Sequence, residues 1–216
     1  MKTILFLLAF WSVSIFPQSP NDPRLLFKDF TQGTVYFKDD TQVKTLLNYD
    51  TFEEQMIFKD NMKVMALANP ESIDRVKIEG KEFYWFENDI FLEKIDSTSI
   101  TLYKRNRRQM QSKGKETSYG GISQTQSVAT MNSLARGYDR QSSDLKAKED
   151  FQFKNDDIFY LYSEGKFRSI TTLKKVSKFF DIDKKEMVDY LEKNPVDWQN
   201  ESDIIQLLEY CKTKNN

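Results

Sequence analysis

The 216-residue chain contains no histidine. That excludes His-based catalytic triads, histidine general bases and His-ligated zinc. A single cysteine, Cys211, allows neither an internal disulfide nor a cysteine-rich metal site. The fold must therefore rest on its hydrophobic core. No Gly-rich phosphate loop, G-x-S-x-G element or calcium-loop pattern occurs. An excess of charge of one sign is also missing. Lys and Arg number 32 against 33 Asp and Glu, a formal net charge of −1. No global field draws in nucleic acid or anionic lipid. After the first sixteen residues no apolar run approaches the roughly 20 residues that span a bilayer.

What is present begins at the N-terminus. Lys2 precedes an apolar run from Ile4 to Phe10, extended through Trp11, Val13, Ile15 and Phe16. A short basic start with an apolar core of this length reads as a signal peptide over residues 1–19, with an uncleaved anchor as the alternative. No cysteine follows the run, so it is not a lipoprotein signal. The expectation is an exported protein, periplasmic or extracellular, with no membrane span in the mature chain.

Aromatics are abundant, with 17 Phe, 10 Tyr and 3 Trp, which is material for a core. Residues 20–32 read as a polar lead-in. Over 30–108, short runs alternate in apolar character. Examples are Val43-Thr45-Leu47-Tyr49, Val76 with Ile78, and Ile100 with Leu102. Turn signals such as Asp39-Asp40, Asp60-Asn61 and Gly80-Lys81 separate them. This period-2 texture predicts an antiparallel β domain, a sandwich or barrel-like meander. Residues 109–150, rich in Gln, Ser, Thr and Gly, read as a polar flexible loop or linker, with a short helix or strand at Ser127 to Leu134. Residues 151–216 read as a β-hairpin turning at Glu164-Gly165-Lys166, which completes the earlier sheet, plus a three-helix region. Leu173, Val176, Phe179 and Phe180 form the first apolar stripe, with Thr172 as N-cap. Asp183 with Glu186 has capping-box spacing, and Met187, Val188 and Leu191 follow. Ile204, Leu208 and Cys211 form the third stripe, which makes Cys211 a small buried hydrophobe. Asn200 reads as a helix start. The fold class is α+β.

Gly33-Thr34-Val35, Leu47-Asn48-Tyr49-Asp50, Ile73-Asp74, Phe159-Tyr160-Leu161-Tyr162 and Gly165-Lys166-Phe167 form a further pattern. With the Lys-rich stretch Leu173 to Asn194, it resembles uncharacterised secreted β-rich proteins of Bacteroidota with a Lys-rich helical C-terminal tail. The resemblance implies a Gram-negative envelope, but no activity or site residues.

Candidate chemistry is sparse. Lys104, Arg105, Arg107 and Arg108 form the densest basic cluster. It reads as a site for an anionic polymer or headgroup, or as a solvated strand end that blocks edge pairing. Phe83-Tyr84-Trp85-Phe86 is apolar on both faces. Tyr84 and Phe86 therefore line either a second packing face or an interaction patch. Acids come in sets, namely Asp39-Asp40, Glu53-Glu54, Asp156-Asp157 and Asp181 with Asp183. Adjacent acids on a strand point to opposite faces, so no such pair is by itself a glycosidase dyad. No catalytic residue, metal or cofactor is expected. The expected function is a non-enzymatic binding module for an envelope protein or glycan. The alternatives are a carboxylate hydrolase, or a lipid or small-molecule carrier if the β region is hollow.

Overall fold

Alternating side chains build one large antiparallel sheet. The computed structural model describes residues 22–61, 63–96, 101–112, 115–116, 122–123 and 151–214. The proposed signal peptide and most of the 109–150 segment, including Ser127 to Leu134, lie outside these residues.

Strands β1 (Thr31–Phe37), β2 (Gln42–Asp50), β3 (Gln55–Asp60) and β4 (Lys63–Ala66) run as a meander. After a short 3-10 turn at Pro70–Ser72, β5 (Ile73–Ile78) does not continue it. It returns to pair with β1 on the other side. Strands β6 (Lys81–Glu87), β7 (Ile90–Asp96) and β8 (Thr101–Arg105) then resume the meander. The hairpin β13 (Ile158–Ser163) and β14 (Lys166–Ser169) joins β8. The result is one ten-stranded antiparallel sheet in the order β14-β13-β8-β7-β6-β5-β1-β2-β3-β4. The expected meander is thus split at β5, and the C-terminal hairpin does complete the sheet. Strand β3 comes back close to β7, so the sheet rolls on itself.

The ribbon of β8 and β13 continues past a break at Asn106-Arg107 and Asp156-Asp157. There β9 (Arg108–Ser112) pairs with β12 (Phe151–Asn155). The start of the 109–150 segment is therefore strand. Two short strands, β10 (Lys115–Glu116) and β11 (Ile122–Ser123), pair beyond it.

Two-residue loops close the hairpins at Glu79-Gly80 and Glu164-Gly165, all four residues having positive φ. Such loops match strand twist, and glycine at the second position carries no Cβ penalty. Gly33 has a different reason to be glycine. A Cβ there would lie 2.7 Å from Leu47 Cδ1 and 2.8 Å from the Lys77 carbonyl oxygen.

Two cores result. The first fills the rolled part with Val35, Leu47, Tyr49, Met56, Ile73, Val76, Ile78, Phe83 and Phe91, joined by Phe27 from the lead-in. Tyr49 stacks on Phe83 at 6.0 Å. The lead-in is thus a packed segment and not a loose polar tail. Buried Asn48 is the reason. Its Oδ1 accepts from the Phe27 N–H at 3.1 Å, and its Nδ2 donates to the Phe27 and Asp29 carbonyls at 2.9 and 3.1 Å. Asn48 and Asp50 also break the expected alternation of β2, because Leu47 to Asp50 are all buried.

The second core packs three helices on one sheet face. Helices α1 (Leu173–Phe180), α2 (Lys184–Lys193) and α3 (Glu201–Lys214) bury Val176, Phe180, Met187, Ile204, Leu207, Leu208 and Cys211. These meet Ile95, Leu102, Phe159, Leu161 and Ile170 of the sheet side. Asn200 caps α3, its Oδ1 accepting from the Ser202 and Asp203 amides at 2.9 and 3.3 Å. Asp183 caps α2 through the Lys185 amide at 2.7 Å. Its capping box does not form, because Glu186 turns instead to Lys214 and Tyr210 on α3. Thr172 makes no side-chain cap bond. Among the described residues no helix is long and apolar enough to cross a membrane.

Candidate functional site

The basic cluster lies at the break between β8 and β9, and each member is engaged within the chain. Lys104 Nζ donates to Glu201 Oε2 at 2.7 Å and sits 3.8 Å from Glu93 Oε2. Arg105 forks onto both oxygens of Glu54, with Nη2 to Oε1 at 2.9 Å. Arg107 pairs with Asp156. Arg108 reaches the carbonyls of Pro23 and Leu25 and the Asn155 side chain. The cluster is the hub that ties lead-in, β2–β3 turn, ribbon and α3 together.

Around Lys104 this hub becomes a polar junction between the two cores. Glu93, 3% exposed, also meets Lys81 and accepts from Asn106 Nδ2 at 2.8 Å. Asp157 accepts the Arg107 N–H at 3.0 Å, and its own backbone bonds Gln199. Burial pushes the Asp157 carboxyl above its ordinary range, with the Arg107 N–H bond, Lys104 and Arg108 only partly countering. Burial would depress the Lys104 ammonium, but Glu93 and Glu201 outweigh it and raise it. A shallow recess of about 290 Å³ lies beside the junction, lined by Gln109, Lys154, Asp156 and Gln199 among others. Acids from β7, the β12–β13 break and α3 thus converge here, each with a cationic or amide partner. Among the described residues no group of carboxylates and cysteine is arranged to hold a metal ion.

Tyr84 and Phe86 lie elsewhere, on the sheet face opposite the helices. Cross-strand register explains the grouping. Tyr103 sits opposite both Lys94 and Tyr160, and Tyr162 opposite Phe167. Residues directly opposite share a face. Ring contacts confirm it. Tyr84 meets Tyr103 at 6.0 Å, Tyr103 meets Phe167 at 4.9 Å, and Tyr162 meets Phe167 at 4.8 Å. Phe86 reaches Tyr160 at 5.3 Å and Phe167 at 5.4 Å, though three strands separate β6 from β14. A register irregularity between Trp85 and Glu87 lies at Phe86. Most of these contacts are edge-to-face, the favoured arrangement for aromatic rings. Tyr84 is half-buried and donates to Glu82 Oε2 at 3.1 Å. Burial and that bond push its phenol up to about 12. Tyr162 is 52% exposed. The patch therefore pairs a packed base with an accessible rim.

Local reading marked Tyr84 and Phe86 but missed Tyr103, Tyr160, Tyr162 and Phe167 as their neighbours. The alternation of 158–162 was visible, whereas the register joining it to β8 and β6 was not. Glu93, Asn106 and Glu201 carried no local signal. The paired acids of the sequence serve as caps or ion-pair partners. Asp39 accepts from Thr41, Glu54 from Arg105, Asp156 from Arg107, and Asp183 from the Lys185 amide. Compared with family models, curated proteins and solved structures, the chain gives no match.

Proposed function

We propose that the protein is an exported envelope module that binds a partner protein and catalyses nothing, with the aromatic sheet face as its contact surface. The observation that carries this reading is the ring array Tyr84, Phe86, Tyr103, Tyr160, Tyr162 and Phe167 on the face the helices leave aside, with Tyr162 half exposed. Tyrosine-rich patches with an apolar base and hydroxyl-bearing rim suit protein interfaces. The N-terminal apolar run and the resemblance to Bacteroidota proteins support export to the envelope. The filled interior of the roll speaks against a carrier. Among the described residues, the buried acids of the polar junction, Glu93 and Asp157, are both tied to structural partners, which speaks against a hydrolase there.

The test is a photo-crosslinking amino acid at position 162 of the full chain, expressed in its own host, with position 188 on α2 as the control. Val188 is also exposed, at 37%. A discrete protein adduct from 162 that is absent from 188 and lost on Phe167→Ala supports the reading. Equal yields from both positions, or no adduct from 162, overturns it. The N-terminus of protein recovered from the envelope fraction checks export: a start near residue 20 supports it, and Met1 in the cytosol contradicts it.

A further inference from the structure

The aromatic face ends at β14, the last strand of the sheet. The hairpin register sets which backbone groups of β14 face outward. Ile170 N–H donates to the Phe159 carbonyl at 2.9 Å, and Arg168 lies opposite Leu161. In an antiparallel pair, inward and outward bonding alternates along the strand. Lys166, Arg168 and Ile170 therefore bond inward to β13, and Phe167 and Ser169 turn their N–H and C=O groups to the open edge.

The chemistry along that edge is one-sided. From Gly165 to Phe180 the chain carries Lys166, Arg168, Lys174, Lys175 and Lys178 and no carboxylate. Helix α1 brings Lys175 to the end of the strand. Lys175 Nζ donates to Ser169 Oγ at 2.8 Å and Thr171 Oγ1 at 3.1 Å. Arg168 lies 6.0 Å from the Phe179 ring. The sole acid in contact with it is the exposed Glu164 of the turn, among the described residues. The opposite edge strand β4 differs, since its single cation, Lys63, stands opposite Asp60.

An edge lined by like charges repels a second copy of itself. It favours a strand that brings carboxylates. We propose that β14 is a docking edge for an extended acidic segment of the partner protein, which adds to the sheet as an eleventh strand. Its backbone pairs with Phe167 and Ser169. Alternate side chains rest on Tyr162 and Phe167 on one face and set carboxylates beside Lys166 and Arg168 on the other. The inference rests on the interaction-module reading and names the partner chemistry of that surface.

Three labelled ten-residue peptides test it on the full mature chain by fluorescence anisotropy. One alternates Val and Glu, one alternates Val and Lys, and one is the Val–Glu peptide N-methylated at alternate amides. The Val–Glu peptide is expected to bind, and the Lys peptide about tenfold or more weaker, the scale of one lost charge-assisted contact. N-methylation is expected to weaken binding at least as much, because it removes strand donors while leaving charge intact. Arg168→Glu with Lys166→Glu should reproduce the loss, with far-UV circular dichroism unchanged. Equal binding of the methylated peptide would reduce the effect to charge alone and overturn strand addition. Absence of binding by the Val–Glu peptide overturns the inference too, and so does binding to anionic vesicles that the peptide does not displace. A position-162 adduct alongside failed peptide binding sinks this inference alone, whereas no adduct sinks the interaction reading itself.

Discussion

Arg105 of β8 clasps Glu54 of the β2–β3 turn with two hydrogen bonds, across 51 residues of sequence. Both side chains are about 15% exposed. Glu54, at φ 57, holds a left-handed backbone to meet it. The pair fastens the rolled half of the sheet to the strand that carries the basic cluster, next to the Arg108 N–H bond to the Thr51 carbonyl at 2.9 Å. Removing one partner leaves a largely buried charge. Arg105→Met is expected to cost about 2–4 kcal/mol in urea unfolding. Arg105→Met with Glu54→Met should recover much of that. Additive losses would show that the two residues are not coupled.

Asn48 makes a different prediction, because it satisfies the lead-in backbone. Asn48→Ala strands the Phe27 amide and two carbonyls and should cost about 2–4 kcal/mol. Asn48→Asp should be no better, since a carboxylate cannot donate to the Phe27 and Asp29 carbonyls. Limited proteolysis is the direct readout. Cleavage before Thr31 is expected in both variants under conditions where the parent resists.

Gly33→Ala should destabilise without any φ penalty at that position. The added methyl would meet the Lys77 carbonyl of β5, which is backbone and cannot rotate away. A loss of about 1–3 kcal/mol is expected from overpacking. Trimming Leu47 to Val alongside it should not rescue, because the carbonyl contact persists. Rescue would mean that the side-chain clash alone matters.

Asp157 carries a pH prediction. Burial raises its folded pKa above the unfolded value, so the folded chain holds the proton more tightly. Between those two values stability falls as pH rises, and above both the penalty is complete. Asp157→Asn keeps an oxygen for the Arg107 N–H and removes the buried charge. The variant is expected to be more stable than the parent at pH 7, with the difference vanishing below about pH 3. A variant less stable at pH 7 would show that Lys104 and Arg108 outweigh desolvation.

The helices were legible because their signals are local. The spacing of Ile204, Leu208 and Cys211 predicted the buried stripe of α3, and burial pushes the Cys211 thiol up to about 12. The two-faced apolar run at 83–86 marked a strand with both sides in use. It did not say that Phe86 meets Tyr160 and Phe167, because that depends on pairing across 74 and 81 residues of sequence. The basic run at 104–108 was visible as charge, while its partners Glu54, Asp156 and Glu201 lie in three distant segments. The capping box at Asp183 failed for the same reason. Glu186 had a better partner in Lys214, from a helix that only tertiary packing brings near.

Among the described residues no strand pairs with the outer side of β14, where the backbone groups of Phe167 and Ser169 face. Residue-resolved amide hydrogen exchange of the free full chain measures this directly. Phe167 and Ser169 should exchange about a hundredfold or more faster than Arg168 and Ile170, the alternation of an open edge strand. Uniform protection along 166–170 would mean that the edge is already covered, and would contradict the account.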